Sequence, residues 1–239
     1  MLSEGHLIDP RKDAALAPRW HTALLVALIL LVFVTGSLLQ GHGGVQLPSR
    51  VPAEPRSSRL VSVYLPLLLV NWGLSLYVTR LFLPRNELQE LLGRGWSRPR
   101  HACVDIALAI ALAVLIRVLD AWLQRVAVGP NAALSSLLPS TGAERLAWVL
   151  VASSVGFCEE VVYRGYLQRQ LSAFCGSASA GIVLQALLFG LAHGEQGPAA
   201  ALRVGLYGLL FGALARTRRS LLPGILCHVG LDLASGLLH

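Results

Sequence analysis

The chain has 239 residues, 54 % of them hydrophobic and 14 % charged, with a mean hydropathy of +0.61. That apolar share exceeds an ordinary soluble domain's and defines a membrane protein. Basic residues outnumber acidic ones by 20 to 13, and all but Lys12 are arginine. They lie between apolar segments and form no run interleaved with aromatics, which points to topology and lipid headgroups and away from nucleic acid.

A bilayer core of about 30 Å needs roughly 20 apolar residues per helix. Seven runs of that kind occur, at 20–40, 59–83, 102–124, 146–171, 178–194, 199–215 and 220–238. They predict an all-α polytopic bundle of seven transmembrane helices. The first run, WHTALLVALILLVFVTGSLLQ, is longer than the core of a cleavable signal and is followed by no small-x-small site, so it is expected to be retained. Residues 41–58 form a Gly/Pro/Ser-rich connector, and 84–100 carry an amphipathic pattern suited to the cytoplasmic interface. No repeat is evident. One integrated domain is expected, with helices one to three and the interfacial segment in 1–145 and the remaining four helices in 146–239.

Arg11, Lys12 and Arg19 precede the first run, five arginines lie between 80 and 100, and Arg216, Arg218 and Arg219 follow the sixth run. They outnumber Arg50, Arg56, Arg59, Arg125 and Arg145 on the other side. The positive-inside rule therefore predicts a cytoplasmic N-terminus in a multi-pass cell-membrane protein, with His239 outside. Cys103, Cys158, Cys175 and Cys227 show no CxxC spacing and read as small apolar packing residues.

Ionisable groups within apolar helices are costly unless paired or facing a cavity, so each marks a candidate site. Three sets fall in the last four runs. In the first, Glu160 and Arg164 are four apart and share a helical face, while Glu159 is turned away by about 100°. The pair is expected to be structural, and Glu159, left without a cationic partner, is the candidate general base. A competing reading ends this helix at the interface, where Glu160, Arg164, Tyr166 and Arg169 snorkel into headgroups. The second set is FGLAH, with Phe189 and His193 one turn apart, and the third is HVGLD, with His228 and Asp232 one turn apart.

These residue types can hold and activate a water and receive an oxyanion. They would equally serve a divalent metal, zinc being the best match. Spacing does not choose between the two. HExxH is absent, so any metal site must be assembled across helices. Gly205, Gly208 and Gly212 form a small face that permits close helix approach. In the third run Arg117 and Asp120, three apart, are expected to pair; Asp105, Asn71 and Gln185 are further polar residues in apolar runs.

The ordered motifs EEVVYR at 159–164, FGLAH at 189–193 and HVGLD at 228–232 resemble the CPBP intramembrane proteases, which include the type II CAAX prenyl proteases and the Abi or bacteriocin-immunity proteins. The likeness covers roughly residues 146–236. It implies a bundle of about eight transmembrane helices, or seven on the present count, around an intramembrane catalytic cavity. By this resemblance Glu159 and His193 would activate the attacking water, and His228 and Asp232 would stabilise the oxyanion. Glu160, Arg164 and Phe189 would support the site or meet substrate. The family has been described as both metal-dependent and metal-independent, so the cofactor is either none or a divalent ion held by Glu159, His193, His228 and Asp232. Asp232 departs from the Asn of eukaryotic prenyl proteases, and a carboxylate donates poorly to an oxyanion, which favours the metal slightly.

The leading expectation is hydrolysis of peptide bonds in a peptide or membrane-protein substrate. A non-proteolytic scaffold or immunity protein that retains the motifs is the alternative. A proton- or ion-coupled transporter is less well supported, because the polar groups crowd one half of the chain without a matching set in the other.

Overall fold

The computed structural model describes residues 15–42, 59–83, 88–89, 91–92, 96, 98–126 and 137–238. The connector at 43–58, most of the amphipathic segment at 84–100, and Arg11, Lys12, Arg50 and Arg56 lie outside the described residues. Among those described, every regular element is helical. In chain order they are α1 (Arg19–His42), α2 (Leu65–Leu81) after a π-helical turn (Leu60–Tyr64), and α3 (Pro99–Val126). Next, α4 (Gly142–Glu159) runs through a π-helical stretch (Glu160–Leu167) into α5 (Gln168–Cys175). The chain ends with α6 (Ala178–Ala192), a 3-10 turn (Gly194–Gln196), α7 (Pro198–Arg218) and α8 (Leu222–Leu237).

All seven predicted runs are occupied by helix. Four segments are long and apolar enough to cross a membrane: Leu60–Leu81, Pro99–Arg125, Gly142–Cys175 and Pro198–Arg218. Ala178–Ala192 and Leu222–Leu237 are shorter apolar helices, and α1, 24 residues in all, is apolar over Arg19–Leu31. The 15 residues of α6 rise only about 23 Å, less than the hydrocarbon thickness. Large side chains such as Ile110, Val118, Leu150, Leu187 and Leu202 are exposed around the bundle. Outward-facing leucine and valine on long apolar helices suit lipid, and the chain is a membrane protein.

Local signals explain the helix ends. Thr141 Oγ1 accepts from the Glu144 amide at 3.2 Å, and Glu144 Oε2 accepts from the amides of Thr141 at 3.1 Å and Ser140 at 2.7 Å. This capping box starts α4 at Gly142, four residues ahead of the expected 146, because the polar first turn TGAE lacks the apolar signal used to place the run. Gly197, at φ +99°, turns the chain sharply before Pro198 opens α7. A side chain at that φ would be strained, so glycine is the residue the turn admits.

Small residues set the close approaches. A Cβ on Gly190 would lie 2.5 Å from Ala201 O, and one on Gly208 would lie 3.0 Å from Ala186 Cα, so α6 and α7 pack backbone to backbone. The Gln185 amide donates to Gly208 O at 2.9 Å, and Gln168 donates to Gly212 O at 3.0 Å. The glycine face read from sequence thus packs on α6 and α5. Between α4 and α8, a Cβ on Gly156 would meet Val229 Cγ2 at 2.9 Å.

The largest core cluster gathers around the π-helical stretch. It combines Leu25 and Ile29 of α1 and Val78 of α2 with Val161, Val162, Tyr166, Leu167 and Phe189. Helices from the first 145 residues therefore hold the motif-bearing helices in place. Asp120 bonds Tyr207 at 2.8 Å, Gln124 at 2.7 Å and Arg203 at 3.4 Å. The expected Arg117–Asp120 pair is replaced by a link from α3 to α7, because Tyr207 and Arg203 approach from the facing helix. Asp105 is tied to Arg218 at 2.6 Å and to the Trp96 indole at 2.9 Å.

Candidate active site

Glu159 is the last residue of α4 and Glu160 the first of the π-helical stretch, all eight residues of which are buried. Such widened turns recur at functional sites. Both glutamates reach the same imidazole. Glu160 Oε1 lies 3.2 Å from His228 Nδ1, and Glu159 Oε2 lies 3.7 Å from His228 Nε2. One turn along α8, Asp232 Oδ2 stands 3.8 Å from the same Nε2.

Glu160 is also the partner of Arg164, whose Nη1 donates to Oε1 at 2.8 Å with both side chains fully buried. Glu160, Arg164 and Tyr166 are each at most 2 % exposed. The interfacial reading of these three is therefore corrected: the core cluster encloses them, and none reaches a headgroup. A buried pair of this kind requires good geometry to offset the desolvation of both charges. Here the guanidinium also lies over the Phe189 ring at 4.3 Å and near Phe211 at 5.1 Å, where the negative ring faces favour a cation.

Because Glu160 is a carboxylate already accepting from Arg164, His228 Nδ1 is the donor in their contact. Its Nε2 is thereby aimed at Glu159 and Asp232. The Phe211 ring stacks on the imidazole at 5.2 Å and 26°, and the Phe189 ring meets it edge-on at 6.1 Å. Glu159 Oε2 is buried and has no hydrogen-bond partner. Asp232 is the most accessible member, its side chain about a third exposed at 32 %.

His193 caps α6 and does not interrupt it: its φ and ψ of −103° and 13° leave the helical region, and the chain turns at Gly194. Its Nδ1 sits 2.8 Å from Phe189 O. A carbonyl only accepts, so Nδ1 carries the proton and Nε2 is left as an acceptor. His193 meets Phe189 edge-on at 4.8 Å. The structure thus brings Glu159, Glu160, Arg164, His228 and Asp232 into direct polar proximity. His193 joins them through the shared Phe189 ring, with no hydrogen bond to the other five among the described residues.

Four further residues shape the site. Phe211 stacks on His228. Gly224 admits Glu160, since a Cβ there would lie 2.9 Å from Oε2. Trp148 Nε1 donates to Asp232 O at 2.9 Å, and Gly236 leaves room for that indole. Gly224 and Gly236 stand four residues either side of the HVGLD ends, on the same helix face as His228 and Asp232, which is a signal the sequence carries. Trp148 and Phe211 carry none, being ordinary apolar residues of their helices.

Among the described residues, no group of three or more His, Cys, Asp and Glu side chains is disposed to hold a metal ion. One nitrogen of His228 is engaged by Glu160 and one of His193 by a backbone carbonyl. Both contacts are made by Nδ1, so each imidazole keeps its Nε2 outside them.

Three carboxylates thus converge on one imidazole inside the helical bundle. Residues 141–234 match the family described as type II CAAX prenyl endopeptidase Rce1-like, and the matched segment contains all three motifs. No curated protein and no solved structure matches the chain.

Proposed function

We propose that the protein is an intramembrane endopeptidase that hydrolyses peptide bonds of a membrane-associated or peptide substrate, with Glu159 as the base that activates water. The observation carrying this reading is the buried Glu159 Oε2, which makes no hydrogen bond, set 3.7 Å from His228 Nε2, with Asp232 3.8 Å from the same nitrogen. These separations are too long for direct hydrogen bonds and suit a bridging water.

In the proposed reaction, Glu159 takes a proton from the water as its oxygen bonds to the scissile carbonyl carbon. The Nε2 acceptor of His193 assists that transfer. The carbonyl becomes an oxyanion, which receives a hydrogen bond from Nε2–H of His228 in its imidazolium form, while Nδ1–H stays on Glu160. Asp232 aligns that donor and does not itself donate, which reconciles an aspartate at this position with oxyanion stabilisation. Collapse of the tetrahedral intermediate breaks the C–N bond, and the proton held by Glu159 passes to the leaving amine. Glu160 and Arg164 orient His228 from within the core.

The N-terminus is assigned to the cytoplasm from the arginine distribution. Supporting this, the Arg218–Asp105 contact at 2.6 Å joins the end of α7 to the start of α3, two regions expected on one side. The decisive experiment is cleavage of fluorogenic peptides and membrane-protein reporters by the full chain in proteoliposomes. Glu159→Gln is expected to fold normally and lose at least a thousandfold in kcat/KM. Cellular activity unchanged by that substitution would favour the scaffold reading, and ion flux abolished by His193→Ala would favour transport.

A further inference from the structure

Phe211 lies on α7, outside the three motifs, and is 2 % exposed. Its ring touches two members of the charged cluster at once. The His228 imidazole stacks on it at 5.2 Å with only 26° between planes, and the Arg164 guanidinium carbon lies 5.1 Å from its centroid. Gly224, one turn before His228 on α8, admits Glu160 beside the same ring: a Cβ there would stand 2.9 Å from Glu160 Oε2 and in ordinary contact, 3.7 Å, with Phe211 Cδ1.

An imidazole has two hydrogen-bonding edges but rotates about χ2, and a single contact from Glu160 to Nδ1 leaves the ring plane free to tilt. Alignment of Nε2 toward Glu159 and Asp232 requires the plane itself to be fixed. A near-parallel aromatic ring does this, whereas an aliphatic side chain of similar volume fills the space without selecting an orientation. The ring's π-face also interacts with the Arg164 cation, which ties the same plate to the pair that anchors Glu160.

We infer that Phe211 is a positioning residue for the hydrolysis proposed above: it fixes the plane of His228 so that Nδ1 stays on Glu160 and Nε2 stays directed at Glu159 and Asp232. The inference rests on the protease reading for its kinetic consequence and on packing alone for its structural one. Two measurements separate them.

Histidine-selective 15N NMR of the full chain in micelles, with the His228 signal identified by its loss in His228→Asn, reads the imidazole without any substrate. A single set of His228 ring signals, with Nδ1–H hydrogen-bonded, is expected in the wild type and in Phe211→Tyr. It is expected to broaden or split in Phe211→Met, which conserves volume but removes the ring. In the cleavage assay, Phe211→Met should lose tenfold or more in kcat with KM changed less than twofold, and Phe211→Tyr should stay within threefold of wild type. Phe211→Leu serves as the second non-aromatic variant should the methionine fail to fold. A native His228 signal together with native kcat in a folded non-aromatic variant overturns the inference. A wild type without peptidase activity overturns the protease reading instead, and the NMR comparison then decides the role of Phe211 alone.

Discussion

His228 donates through Nδ1 to a Glu160 carboxylate, 3.2 Å away, that has no exposed surface and is itself held by Arg164 at 2.8 Å. The histidine of the third motif is thus oriented by the second glutamate of the first, across two helices. This divides the adjacent glutamates by position, Glu159 lying near Nε2 of the imidazole and Glu160 at Nδ1.

The buried pair should respond asymmetrically to mutation. Arg164→Met strands the Glu160 charge in the core and is expected to cost about 3–5 kcal/mol, whereas Arg164→Met combined with Glu160→Leu should recover much of that loss. Unfolding midpoints in detergent for the two single variants and the double variant test this. Equal destabilisation by the single and double changes would show that the pair does not act as a unit.

The close approach of α8 depends on glycine. Gly224→Ala places a Cβ 2.9 Å from Glu160 Oε2, and Gly156→Ala places one 2.9 Å from Val229 Cγ2 and 3.0 Å from its backbone nitrogen. Each is expected to cost about 1–3 kcal/mol through overpacking. Cleavage should fall further than stability predicts, because the shift moves His228 away from the glutamates. Thermal melts paired with kcat measurements distinguish the two effects.

The α3–α7 link runs through Asp120. Asp120→Ala removes the acceptor of Tyr207, Gln124 and Arg203 and leaves a mostly buried arginine unpaired, with an expected loss of about 2–4 kcal/mol. Arg117→Gln should change stability by less than about 0.5 kcal/mol, because Arg117 is exposed and makes no ion pair with Asp120. A large effect of Arg117→Gln would restore the pairing expected from the three-residue spacing.

Peptidase activity should survive dialysis against a strong chelator, with kcat/KM retained within twofold and no recovery on adding zinc. Loss of activity that zinc restores would show that the carboxylates and imidazoles rearrange to bind an ion.

Much of the fold was legible because its signals are local. Runs of apolar residues placed all seven helices within a few positions, and a spacing of four showed that Glu160 and Arg164 could pair within one turn. The errors arose where the governing contact is not local. The α4 start was missed because a capping box is polar, and Asp120 was paired with its neighbour in sequence because spacing contains no information about α7. Helix number and spanning number also differ: among the described residues four segments have the length to cross, while Ala178–Ala192 and Leu222–Leu237 are shorter.

The sequence by itself determined that the chain resides in a membrane, that it is helical, and that glutamate, histidine and aspartate occur in an order shared with a protease family. These follow from composition and from periodicities of a few residues. Only the tertiary structure decided that Glu159 and Glu160 meet opposite nitrogens of one imidazole, that Phe211 stacks on it, and that Trp148 holds the backbone of Asp232. Those contacts join residues dozens of positions apart, and glycines at the helix crossings permit them. Their geometry depends on how closely two backbones can approach, which no spacing along a single helix encodes.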